Sequence, residues 1–226
     1  NLNRLIHEHP GLSSTLYQPL KESDVKQIAD AAFEILARSG MAVYNQTSRD
    51  RLRAAGAEVN DETALVRMPR GMVEDAVASN PSSITLCGRN GSPDVVMEKS
   101  RVHYGTGGTA IYVMDPDTGE RRPSTTADVV LNARMVEALE NVHLFTINVF
   151  PNEIADKDVI DVNRFFHSLD NTTRHVMGGV YSLAGCRQVV EMAELIAGGA
   201  DALRERPFVS FITLIISPFK IDDHYG

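Results

Sequence analysis

Residues 142–150 read Val142-His143-Leu144-Phe145-Thr146-Ile147-Asn148-Val149-Phe150, residues 175–181 read His175-Val176-Met177-Gly178-Gly179-Val180-Tyr181, and residues 208–216 read Phe208-Val209-Ser210-Phe211-Ile212-Thr213-Leu214-Ile215-Ile216. Each is a short apolar run, rich in β-branched and aromatic side chains, of the kind that forms a strand covered on both faces. Their centres, Phe145, Val176 and Phe211, lie 31 and 35 residues apart, the length of one strand-and-helix unit. Helical patterns fill the gaps at 158–168 and 184–197. A further helix at 127–139 is announced by the capping-box spacing Thr125-x-x-Asp128. This alternation predicts a parallel sheet, either closed into a barrel or open and doubly wound. A nucleotide-binding open sheet would place a glycine-rich phosphate turn between a strand and a helix. The candidate, Gly105-Thr106-Gly107-Gly108, runs instead into strand-like Ala110-Ile111-Tyr112-Val113-Met114, which argues against that reading.

Upstream the rhythm differs. Val25, Ile28, Ala29, Ala32, Phe33 and Leu36 recur at helical spacing over 23–39, with Ser23 as N-cap and Gly40 as the stop. A second helix is expected at 48–55, a hairpin over 57–68 turning at Asn60-Asp61, and a third helix opened by Pro69 and closed before Asn80-Pro81. Short strands are expected at 83–87, 94–97 and 101–104, and a turn at Asp115-Pro116-Asp117-Thr118-Gly119 joins two more. With no strand–helix–strand repeat, residues 1–100 are expected to form a separate α+β region, and 101–226 the parallel part.

The 226 residues are 43% apolar and 23% charged, the composition of a chain that buries a core. Net charge is −8 and no Lys/Arg run reaches the length expected of a phosphate-tracking surface, so a nucleic-acid partner is not expected. Cys87 and Cys186 fit neither a disulfide framework nor a zinc knuckle, which favours a reducing compartment and a cytoplasmic location. The longest apolar run, 208–219, is too short and too polar to span a bilayer, so no membrane partner is expected either. Beginning at Asn1 and stopping after Asp222-Asp223-His224, at what reads as the entrance to another helix, the chain is expected to be cut at one or both ends. Those acidic residues are read as a helix cap rather than as a metal cluster.

The stretch His103-Tyr104-Gly105-Thr106-Gly107-Gly108-Thr109-Ala110-Ile111-Tyr112-Val113-Met114-Asp115 resembles the glycine-rich segment of the trimethylamine methyltransferase family. The resemblance continues through Asn171-Thr172-Thr173 to Gly178-Gly179, through Glu191-Met192-Ala193 to Gly198-Gly199, and through Arg206-Pro207-Phe208 to Ser217-Pro218-Phe219-Lys220. It implies a TIM (β/α)8 barrel of which this chain supplies about the first half, preceded by the α+β region, in a protein roughly twice as long. It also implies an amine:corrinoid protein methyltransferase that moves a methyl group from a methylated or quaternary amine, of trimethylamine or glycine-betaine type, to cobalamin carried by a partner corrinoid protein. Some members encode pyrrolysine, which would fall beyond Gly226. This sequence resembles more the branch without it, acting on quaternary amines such as glycine betaine. A half barrel leaves sheet edges open, so a homo-oligomer is expected.

A quaternary ammonium offers no hydrogen-bond donor and is recognised by aromatic faces. Tyr104, Phe150 and Tyr181, read as lying at C-terminal strand ends, are the cage candidates, and each can equally be a packing aromatic. Gly105, Gly107 and Gly108, around Thr106, can bring backbone amides to a substrate carboxylate or simply make a tight turn. Gly178 and Gly179 raise the same choice between space for a ligand and a bulge. Asn148, Thr213 and Ser217 can bond substrate or satisfy the fold's interior. No catalytic residue is assigned, because a quaternary amine leaves neutral and needs no acid. His103 and His175 lie on different strands without a third ligand at recognisable spacing, so no metal site is expected. The competing readings are a lyase or aldolase on a small carboxylated substrate, for which Lys220 is the lysine near a strand end, and a non-catalytic betaine-binding protein.

Overall fold

A computed structural model describes residues 9–13 and 17–223. The chain forms two compact units, one from Asn1–Ser14 with Ser82–Ile212 and the other from Thr15–Pro81 with Thr213–Gly226. Neither unit has its limit at residue 100. The hairpin Ser83–Leu86 with Val95–Glu98 leads straight into the parallel-sheet unit, where Cys87 N–H donates to Pro207 O and Arg89 N–H to Thr173 O. Near the other end of the chain, Lys220–Ile221 pairs in parallel with Met41–Val43. Both links are backbone pairings between residues far apart in sequence, and composition carries no trace of them.

In the larger unit Leu144–Thr146, His175–Gly179 and Val209–Ile212 form a three-stranded parallel sheet in that order, with Phe145 opposite Val176 and Gly178 opposite Phe211. The helices Thr126–Ala138, Ile160–Asn171 and Leu183–Ala197 follow the expected positions to within a few residues. Asp128 accepts from the Thr125 N–H and hydroxyl in the anticipated capping box, and Arg122 donates to both its oxygens. One face of the sheet, carrying Phe145, Ile147, Val149 and Val176, packs with Val129, Ala133 and Val136 of the first helix, Phe165 and Leu169 of the second, and Val189 and Ala193 of the third. The last strand stops at Ile212 rather than running to 216. A short helix, Ala200–Glu205, which the sequence pattern did not announce, follows Gly198 and Gly199. No helix among the described residues is long and apolar enough to cross a membrane.

The smaller unit is α+β. Glu22–Glu34, starting one residue before Ser23, continues through a wider turn to Ser39, and Gly40 stops it at φ 71°. Only glycine fits there, because a Cβ would lie 2.4 Å from Val66 O. Glu58–Asn60 and Leu65–Arg67 form the expected hairpin, and Met41, Val43, Ala57 and Val66 make the core between the strands and helices.

Gly178 faces the helices, and a Cβ on it would sit 3.0 Å from both Ile147 Cδ1 and Phe165 Cζ. Gly178→Val should lower stability by about 1–3 kcal/mol, the range for overpacking. Gly179→Ala, whose Cβ would meet nothing closer than Ile212 O at 3.9 Å, should stay within about 0.5 kcal/mol. Urea midpoints of the two variants test this contrast. His175 gives a pH signature: its Nδ1–H donates to Cys87 O and its Nε2 accepts from the Ser210 hydroxyl, a fully satisfied neutral ring. Burial lowers its pKa from 6.5 to about 4. Between those values the unfolded chain takes up a proton that the folded one refuses, so stability should fall as pH drops from about 6.5 towards 4. His175→Asn should flatten that slope in denaturation curves recorded across the window.

Candidate functional site

Residues 104–110 run alongside the first parallel strand and in the same direction. Gly105 bridges Leu144 and Ala110 bridges Val149, both in parallel. His143 N–H donates to Tyr104 O, Ala110 N–H to Asn148 O and Phe150 N–H to Ala110 O. The Thr106 and Thr109 hydroxyls donate to Thr146 O and Ile147 O. The glycine-rich segment is thus an irregular edge strand, and its register corrects one expectation. Tyr104 lies beside His143, at the N-terminal end of the sheet, with ring centroids 6.5 Å apart. Phe150 is six residues beyond Leu144, about 20 Å further along extended chain. Tyr104 cannot share a cage with Phe150 and Tyr181.

Phe150 and Tyr181 do meet. They leave neighbouring strands at their C-terminal ends and stack edge to face with centroids 5.7 Å apart. Below them is a residue the sequence reading missed. The guanidinium of Arg164, on the helix Ile160–Asn171, is fully buried and lies 5.2 Å from the centre of the Tyr181 ring. Its Nη1 donates to Gly179 O at 3.3 Å and its Nη2 reaches Thr109 Oγ1 only at 3.5 Å, while Nε has no hydrogen-bond partner among the described residues. One turn earlier on the same helix Asp161 is equally buried. Its Oδ2 accepts from Tyr181 N–H at 2.8 Å and Ser182 N–H at 3.3 Å, and its Oδ1 is unpartnered among the described residues. Burial pushes the Asp161 carboxyl up, against the pull of the two amides, and pushes the Arg164 pKa down. The signal in the sequence was a charged pair at i and i+3 on the apolar stripe of a helix whose other buried residues include Ile160, Phe165 and Leu169.

Asn148 joins this end of the sheet. It lies two residues before Phe150, and its Oδ1 is buried without a partner among the described residues. The site therefore offers an aromatic pair, one free amide oxygen and a cation held behind Tyr181, with Ile111 and Leu183 exposed near the same strand ends.

The remaining candidates fall elsewhere. A Cβ on Gly105 would meet Leu144 Cγ at 2.7 Å, so this glycine lets two backbones approach one another, and Thr106 is spent on the same edge. A Cβ on Gly107 or Gly108 would meet nothing, so open space is what those positions offer. Gly178 is a packing glycine, not space left for a ligand. Gly179 keeps its carbonyl for Arg164. Thr213 directly follows Ile212, which pairs with Gly179 at the C-terminal end of the third parallel strand, and Ser217 lies further along; both belong to the smaller unit. Lys220 is there too, in a different sheet and paired with Asp222, so the lysine an aldolase reading would use is not on the three-stranded parallel sheet. Asp223 accepts from Asn45, and His224 lies outside the described residues. Burial raises the pKa of both cysteines, which removes thiolate character.

Residues 4–225 match the model of the trimethylamine methyltransferase (MTTB) family. Among curated proteins the chain is 32% identical to trimethylamine methyltransferase MttB of Desulfitobacterium hafniense (strain DSM 10664 / DCB-2), over 90% of this chain and 41% of that protein. It is 28% identical to the glycine betaine methyltransferase of Desulfitobacterium hafniense (strain Y51), over 92% of this chain and 43% of that one. It is 26% identical to trimethylamine methyltransferase MttB1 of Methanosarcina mazei, over 88% and 41%. The chain thus spans about two fifths of the length of these relatives.

Gly185, in the first turn of the helix Leu183–Ala197, abuts the buried carboxylate: a Cβ there would lie 2.3 Å from Asp161 Oδ2. Gly185→Ala should displace Asp161 from the Tyr181 and Ser182 amides and cost about 1–3 kcal/mol. Thermal unfolding reads the stability loss. Faster hydrogen exchange at 180–184 than elsewhere in the sheet would locate it at the site.

Proposed function

The chain belongs to the trimethylamine methyltransferase family, and on that premise we propose that the full-length protein moves a methyl group from a quaternary amine of betaine type to cobalamin on a partner corrinoid protein. In this reading the parallel strands are part of a (β/α)8 barrel, whose enzymes build their sites at the C-terminal strand ends. The observation that carries the substrate class is Arg164. A guanidinium against one face of Tyr181 makes that ring a poor host for a second cation. The ammonium end of the substrate then belongs against Phe150 and the Asn148 amide oxygen, and an anionic end belongs on the Arg164 side. A betaine has both ends, whereas trimethylamine has only one.

The corrinoid supplies a cobalt nucleophile that accepts the methyl group as a cation equivalent, so the nitrogen keeps the bonding pair and leaves neutral. The residues present suit a carrier-borne group: what this chain must provide is an open, partly apolar rim at the strand ends, and exposed Ile111 and Leu183 offer one. Phe150, Asn148 and Arg164 fix the amine's orientation and keep its charge out of bulk water, which is where rate enhancement in such a transfer originates. No acid or base is required.

At about 6 Å and an effective dielectric near 20, a carboxylate gains about 2–3 kcal/mol from the guanidinium, roughly a hundredfold in affinity before desolvation is subtracted. Arg164→Met in the full-length protein should therefore weaken glycine betaine at least about tenfold in calorimetry. Choline, with the same quaternary head and no carboxylate, should be little changed, and Arg164→Lys should recover part of the loss. Equal losses for both ligands would make Arg164 a packing residue and remove the argument for a betaine. The transfer itself is read by the conversion of reduced carrier to methylcobalamin when glycine betaine is added. If neither betaines nor trimethylamine produce that change, the reading fails.

A further inference from the structure

The N-terminal end of the first parallel strand carries a second cluster, independent of the amine reading. His143 immediately precedes Leu144–Thr146 and His103 immediately precedes Tyr104, so the pairing of 104–110 with that strand draws the two rings together. His9 comes from the segment ahead of Leu12–Ser13, which pairs antiparallel with Arg101–Val102. Ring centroids are 5.2 Å apart for His103 and His143, 3.7 Å for His9 and His143, and 6.0 Å for His9 and His103. One ring nitrogen from each lies within 4.8 Å of the other two.

The hydrogen bonds say where each ring proton sits. His103 Nε2 is 3.1 Å from Val96 O, which can only accept, so the ring proton is on Nε2 and Nδ1 presents a lone pair. That Nδ1 is buried without a partner among the described residues. A ring backed by a carbonyl in this way is how metal-ligating imidazoles are commonly held. His143 Nε2 is likewise buried and unpartnered, and its Nδ1 accepts from Tyr104 N–H at 2.9 Å. His9 Nδ1 accepts from Gly11 N–H at 3.1 Å, leaving its Nε2. Three rings thus converge; His103 Nδ1 and His143 Nε2 are buried polar atoms, unpartnered among the described residues, of the kind that call for an explanation, while the His9 ring also bonds the Glu140 backbone.

We propose that His9, His103 and His143 form a binding site for a divalent transition-metal ion of the zinc class, with a fourth position left for water. Burial and the neighbouring rings lower the His143 pKa to about 4, and burial lowers that of His9, so these two rings are neutral near pH 7, as ligands must be. Zinc–nitrogen bonds of about 2.0–2.1 Å set ligand nitrogens about 3.4 Å apart, so the rings close by about an ångström or more on loading. In His143 and His9 the ring proton then moves from Nε2 to Nδ1. The amide bonds from Tyr104 and Gly11 are given up and no net proton is released. The ion would clasp the segment around His9 to the sheet, at the end opposite the amine site.

The test uses full-length protein without a histidine tag, stripped with EDTA. Titration with Co²⁺ should produce the visible absorption of a tetrahedral imidazole centre, displaced by one equivalent of Zn²⁺ per chain. Zn²⁺ should raise the melting temperature and alter hydrogen exchange in peptides covering 101–106, where the Tyr104 amide loses its acceptor. His103→Ala and His9→Ala should each weaken Zn²⁺ at least about tenfold, since even removal of a supporting group behind a ligand costs that much. His9 is only partly buried, so its variant serves if the His103 one does not fold. The absence of a Co²⁺ spectrum, or Zn²⁺ affinity unchanged in both variants, would overturn the site and leave three packed rings.

Discussion

Residues 104–110 must lie against the first parallel strand with their backbones in register, and both candidate sites depend on that contact. It is possible because Gly105 has no Cβ to meet Leu144. The ladder from His143 and Tyr104 to Phe150 and Ala110 then orders everything along one axis. Histidines gather at its start and aromatics at its finish. Two hydroxyls, on Thr106 and Thr109, hold the irregular stretch where the glycines leave regular pairing. A segment that resembles a phosphate loop in composition is, in its physical role, a sheet edge.

At the C-terminal end the controlling feature is electrostatic. Asp161 and Arg164 are both buried, yet neither bonds the other directly; the carboxylate is used by two backbone amides and the guanidinium by a carbonyl and a ring. A buried charge without a close counter-ion is costly. The anionic end of the proposed substrate would offset part of that cost. The Asp161 amide contacts also fix where the chain turns from Gly179 through Tyr181 into the next helix, so the same carboxylate sets both the backbone exit and the position of the aromatic ring.

The parallel order of the three strands, their covering helices, the Thr125–Asp128 cap, the hairpin at 58–67 and the stop at Gly40 were all legible, because each rests on local periodicity, capping or turn chemistry. Family membership was legible in the glycine-rich segment. The pairing of Phe150 with Tyr181 was legible too, since both end neighbouring strands.

What the residues by themselves determined, then, is the set of elements and the face each presents, for those follow from interactions within a few positions along the chain. Tertiary structure alone decided that Tyr104 belongs with His143 and not with Phe150, that His9 joins His103 and His143, that Arg164 sits behind Tyr181, and that Lys220 pairs in another sheet. Each of these depends on register or on contact between residues distant in sequence. A parallel register is a shift along an axis, and no periodicity in the sequence records where that shift begins.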